Sequence, residues 1–128
     1  MENLTYWKEI KILDKFFLKI LEKNRQKIHN IFLKNICYNN SMSLLDVGTS
    51  AVSDKHHNII LQKLKDNPNI TCLSNQDCSS LKKYYPHVKS FITGDGKKNI
   101  FDNNLFDIVY SSATIEHVGS LEDQFTFV

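Results

Sequence analysis

An α/β fold, a parallel sheet with helices on both faces, is what this sequence predicts, and three observations carry the prediction. Ser43-Leu44-Leu45-Asp46-Val47-Gly48-Thr49-Ser50 is a small and apolar run that ends in an acid, a glycine and two hydroxyls. Such a run reads as a buried parallel strand stopping at a tight turn. Behind it, three more short apolar runs alternate with helix-like or polar segments, the pattern of parallel strands joined by crossovers. Ahead of it, residues 4–36 repeat apolar positions at spacings of three and four, which predicts one long leading helix.

In the leading segment, residues 1–40, Ile10, Leu13, Phe17, Ile20, Leu21, Ile28, Ile31, Phe32 and Ile36 form one face, which Asn24 interrupts. Lys11, Lys15, Lys19, Lys23 and Lys27 recur every four residues. A solvated face explains them most simply, and an anionic partner or a membrane surface is the sharper alternative. Asn39-Asn40-Ser41 makes a turn into strand one, residues 43–47. Ser53 or Asp54 is the expected cap of a helix over 54–65, whose His57, Ile60, Leu61 and Leu64 share a face. Asp66-Asn67-Pro68-Asn69 ends it. Strand two is expected at 70–73, a short helix at 79–85, strand three at 88–93 and strand four at 106–110. Ser120-Leu121-Glu122-Asp123 has the form of a capping box opening a last helix.

Composition narrows the function classes. A net charge of +2 is too small to argue for nucleic acid. The charge is uneven, however: residues 1–36 hold eight Lys or Arg against four acids. Cys37, Cys72 and Cys78 share no CxxC spacing, so neither a metal site nor a disulfide framework is expected, and a reducing, cytoplasmic setting fits. No stretch approaches the apolar length of a membrane span. The turn after strand one has a single glycine, without the G-x-G-x-x-G that a dinucleotide pyrophosphate needs or the G-K-[ST] of a P-loop. An acid at the strand end repels phosphate and attracts a cation.

Three segments in order carry a family resemblance. Leu44-Leu45-Asp46-Val47-Gly48 resembles the first motif of the class I S-adenosylmethionine-dependent methyltransferases. Gly94-Asp95-Gly96 resembles the acidic turn after their third strand. Phe101 to Val118, with Ser111-Ser112-Ala113-Thr114-Ile115-Glu116-His117-Val118, resembles the region around their fourth strand. The resemblance implies a Rossmann-like sheet of order 3-2-1-4 and S-adenosyl-L-methionine as cofactor over the carboxyl ends of strands one to three. It further implies that residues 41–128 are the amino-terminal part of such a domain. Asp46, Gly48, Thr49 and Ser50 would then hold the methionine end, with Ser111 and Ser112 lining it, and Asp95 and Gly96 would lie beside the adenine.

Two departures from the family pattern stand out. Ser50 and Val52 occupy positions where further glycines are common. Strand two ends in Ser74-Asn75-Gln76-Asp77, without an acid where the family's ribose acceptor stands, so Asn75 or Asp77 takes that role. Asp46 as a cap of the following turn, and Gly94-Asp95-Gly96 as a plain tight turn, are the simpler alternatives. Glu116 and His117 are adjacent and form no dyad by spacing, so no catalytic residue is assigned. The methyl acceptor is not readable. A non-catalytic binding module and a nicotinamide-dependent protein are the alternative functions. The implied sheet of about seven strands, against four visible here, leads to the expectation of a truncated domain with strand four as an open edge for self-association.

Overall fold

The computed structural model describes residues 3–54, 56–98 and 100–128. The chain forms two compact units, residues 1–38 and 39–128. The first is a single helix, α1 (Asn3–Asn35), which ends where Cys37 takes a positive φ of 50°. The side chains of Ile10, Lys11 and Leu13, expected on its apolar and basic faces, lie outside the described residues.

The second unit is a four-stranded, all-parallel sheet of order β3-β2-β1-β4, as the resemblance implied. Its strands are β1 (Leu44–Val47), β2 (Ile70–Ser74), β3 (Ser90–Thr93) and β4 (Ile108–Ser111). The two central strands are buried along their whole length. This is why they read as continuous apolar runs and not as alternating ones.

Register assigns the faces. Leu44, Asp46, Ile70, Cys72 and Tyr110 share one face; Leu45, Val47, Leu73 and Ile92 share the other. Asp46, Cys72, Cys78 and Tyr85 interact electrostatically on the first face, and Tyr85 bonds to Asn58 and Gln62. The buried residues Ile59, Ile60 and Leu61 of α2 (Ile59–Lys63), and a 3₁₀ turn at Ser79–Lys83, therefore belong to this side. On the second face Phe101, Phe106 and Phe127 pack against Leu45, Val47 and Leu73, with Phe101 and Phe106 meeting edge to face at 5.1 Å. Phe127 comes from α3 (Leu121–Phe127), whose N-terminus is the expected capping box of Ser120 and Asp123.

Four expectations are corrected. The helix expected at 54–65 is only α2, because Asp54 spends its carboxylate on the amides of His56 and His57 and on the His57 ring. Asn58, in the left-handed region at φ 51°, precedes the first helical residue instead. The segment at 79–85 is a 3₁₀ turn and not an α-helix. Strand three starts at Ser90: Val88 N still closes the preceding turn on Tyr85 O, and Lys89 N makes the first bond across to β2, on Ile70 O. Phe106 is a packing residue of the β3–β4 connection and does not belong to β4.

The amino ends of the strands are fastened by side chains. Asp107 Oδ2 accepts from the Ser43 amide and hydroxyl, each at 2.8 Å, while Ser43 Oγ accepts from the Asp107 amide. Asn67, fully buried, donates to Met42 O at 2.9 Å and accepts from the Asn69 amide. These bonds fix β1 beside β2 and β4 and leave the carboxyl edge to the loops.

Candidate functional site at the carboxyl edge of the sheet

Parallel pairing brings four chain segments to one edge: 48–50 after β1, 74–77 after β2, 94–96 after β3 and 111–114 after β4. Because β1 connects to β2 on one side and is paired with β4 on the other, the strand order reverses between β1 and β4, the place where open α/β sheets form a crevice. All ten residues singled out from the sequence, Asp46, Gly48, Thr49, Ser50, Ser74, Asn75, Asp77, Asp95, Gly96 and Ser111, lie at or next to this edge.

Their side chains differ in what they can offer. Asp46 is buried on the first face, between Cys72 and Tyr110 in register. Thr49 Oγ1 donates to its Oδ2 at 2.7 Å. Burial pushes the Asp46 carboxyl up to about 6, and the Thr49 bond offsets part of that shift. Burial also raises the Cys72 thiol, the Cys78 thiol and the Tyr110 hydroxyl, and the Asp46 charge adds to each. Asp46 and Thr49 are therefore the internal brace of the turn. The Cys78 thiol adds a weak bond to Thr49 O at 3.6 Å.

Gly48 has φ +96°, and a Cβ built on it would lie 2.1 Å from Thr114 Oγ1. The glycine is required twice, by its backbone conformation and by the Thr114 side chain packed over it. Thr114 Oγ1 and Ser111 Oγ both donate to Val47 O, at 3.3 and 2.9 Å. The loop after β4 is thus tied directly onto the end of β1.

The amides of the loop after β1 are satisfied within the chain. Gly48 N and Thr49 N donate to Leu73 O, and Ser50 N donates to Asn58 Oδ1 at 3.0 Å. Asn58 Nδ2 donates back to Ser50 O and Val52 O, while Ser50 Oγ accepts from the Val52 amide. Asn58 and Thr114 are the two organising residues that the sequence reading missed. The signal for Asn58 was an asparagine directly before Ile59-Ile60-Leu61, since asparagine tolerates the left-handed region that starts a helix abruptly.

At the other strand ends, Ser74 Oγ accepts from Gln76 N, and Asp77 Oδ1 accepts from Ser79 N at 2.8 Å, which holds its carboxyl below the usual range. Asp95 Oδ1 accepts from Lys97 N at 3.0 Å. A carboxylate has about four acceptor positions, so these turns leave Asp77 and Asp95 capacity for a ligand. Asn75 is exposed. Gly96 is a packing glycine, with Phe127 2.9 Å and Val47 3.1 Å from where a Cβ would lie. Lys97 Nζ pairs with Asp123 at 2.8 Å and joins this turn to the start of α3. The Lys97 bond, followed by those from Ser120, pulls the Asp123 carboxyl down to about 2. Glu116 and His117 are exposed and 4.0 Å apart, outside this edge network. Among the described residues no group of His, Cys, Asp and Glu is placed to hold a metal. Comparison of the chain with protein-family models, with curated proteins and with solved structures gives no match.

Proposed function

We propose that the chain binds S-adenosyl-L-methionine at this edge and is part of a class I methyltransferase acting on an unidentified acceptor. The reading rests on the three sequence motifs. One structural observation supports it most: the strand order β3-β2-β1-β4 brings those motifs to a single edge at the point where the order reverses. The donor set fits such a cofactor. Asp77, Asp95 and Asn75 offer acceptors for ribose hydroxyls and an adenine amino group. The amides of 48–50 are engaged within the chain, so they offer no cradle to a pyrophosphate, which argues against a nicotinamide dinucleotide. When bound, the cofactor supplies an electrophilic methyl group. The part of this chain's residues is to bind and orient, and positioning alone can supply much of the acceleration.

A second reading has its own observation. Thr114 fills the space over Gly48, where close approach to the turn would otherwise be open, and this favours a half-sheet binding module without catalysis. A reducing, cytoplasmic setting accords with the free thiols of Cys37, Cys72 and Cys78. Among the described residues no helix is long and apolar enough to cross a membrane. Self-association through the outer edge of β4 is part of the same proposal, because Ile108-Val109-Tyr110-Ser111 carries no charge to deter pairing. Calorimetric titration with S-adenosylmethionine, S-adenosylhomocysteine and NAD tests the proposal. Heat of binding from the first two and none from NAD is expected. Binding of NAD alone, or of none of them, contradicts it. Binding without methyl transfer to any acceptor favours the module.

A further inference from the structure

We propose that α1 lies on an anionic lipid surface, with its apolar stripe in the headgroup boundary and its lysines on the phosphates. This inference is independent of the cofactor reading. It starts from the distribution of charge. Residues 15–35 carry six Lys or Arg against one acid, Glu22, whereas the whole chain carries 16 against 14. The basic excess of the protein is therefore concentrated on one helix.

The geometry supplies the second half. At about 100° per residue, Phe17, Ile20, Leu21, Ile28 and Ile31 fall on one side of α1. All five are exposed, Phe17 at 64% and Ile28 at 58%. Lys23, Lys27 and Lys34 project along the flank of that stripe, with Lys19 next to them, and all four are exposed. An apolar stripe bordered by long cationic side chains is what an interfacial helix requires. The stems cover apolar area while the ammonium groups reach the phosphates. Such a helix lies in the plane of the surface and does not span it, in keeping with its low hydropathy.

The sequence selects lipid over the other occupants of such a face. In a coiled coil with a second copy, Phe17, Leu21, Asn24, Ile28 and Ile31 would form the seam, with Arg25, Lys27 and Lys34 among the positions flanking it. Those flanks hold three cations and no acid to pair with them, and Asn24 lies within the seam, so like-charge repulsion disfavours a pair of copies, whereas an anionic surface complements the same cations. A nucleic acid would use the lysines and leave the stripe without a role.

Flotation of the full chain with vesicles tests the proposal. Vesicles of phosphatidylcholine alone are compared with vesicles containing about 30 mol% phosphatidylserine, at about 0.1 M and about 0.5 M salt. Binding at least about tenfold stronger to the anionic vesicles, and lost at the higher salt, is expected. Near such a surface a lysine contributes about fivefold, so Lys19→Gln, Lys23→Gln, Lys27→Gln and Lys34→Gln together lower the partition coefficient by more than about a hundredfold. The four Lys→Arg changes retain binding, and Phe17→Ser with Ile28→Ser weakens it while leaving the salt dependence in place. The arginine variant and the salt series decide the matter even where the glutamine variant folds poorly. Equal binding to neutral vesicles, or none to either, overturns the proposal. So does association with nucleic acid or with a second copy that these same substitutions abolish while vesicles are ignored.

Discussion

Asp46 is a carboxylate at the end of a strand with almost no water around it. Its carboxyl titrates at about 6 in the fold against an ordinary 3.8. Between those values the folded chain holds more protons than the unfolded one. Stability therefore falls as pH rises from about 4 to about 6, by on the order of 3 kcal/mol in all. Asp46→Asn is expected to remove that slope and to make the protein more stable at neutral pH. Urea unfolding of parent and variant on either side of the window checks this, and a parent that is flat across it contradicts the assignment. At Gly48 the expectation has the opposite sign. Gly48→Ala places a methyl group against Thr114 at a strained φ and should cost about 1–3 kcal/mol. Adding Thr114→Gly should restore part of the loss, read as a coupling in a double-mutant cycle. The sequence made both positions visible as the end of a strand. It did not make their partners visible. Thr49 is near in sequence but its bond to Asp46 depends on the turn, and Thr114 is distant in sequence and arrives from the loop after the neighbouring strand β4.

Among the elements, strands were more legible than helices. β1 and β2 are buried on both faces, so an apolar run sufficed to find them. The capping box of α3 was also written locally, because both of its partners lie within four residues. The helix after β1 was overread by five residues at its start, since an acid ahead of an apolar periodicity looks like a cap. Asp54 is instead consumed by two histidines, and Asn58 closes the loop. Asn58→Ala removes bonds to Ser50 N, Ser50 O and Val52 O. Leaving one or two of those part-buried groups unsatisfied should cost about 1–3 kcal/mol. Hydrogen exchange should then speed up first at the amides of 50–52, while those of β1 and β2 keep their protection. Uniform acceleration across the sheet would mean that Asn58 does not act locally.

For the sheet as a whole, the parallel sense followed from the alternation of strands with helix-like segments, and the order from the family resemblance. The crossing from β3 to β4 did not read as a helix, and its described residues form none. Phe101 and Phe106 cover the second face in its place. The outer edge of β4 exposes Val109 at 64% and has no lysine or proline to blunt it. Val109→Lys is expected to shift the protein toward monomer in sedimentation velocity, as charges on edge strands do. A parent that is already monomeric at high concentration would contradict self-association there. What the sequence could not specify is which side chains at the carboxyl edge stay available. Local turns claim Asp77 and Asp95 in part and burial claims Asp46 entirely, and both depend on loops whose conformation is set by tertiary contacts.

The central claim is that the carboxyl edge, and not another surface, receives S-adenosylmethionine. Amide chemical shifts of the isotopically labelled chain, followed during titration with S-adenosylhomocysteine, test it directly. Perturbations should concentrate at 47–50, 74–77, 94–96 and 111–112, four segments distant in sequence and adjacent only in this sheet. Shifts confined to other segments, or no saturable shifts at all, would contradict the account.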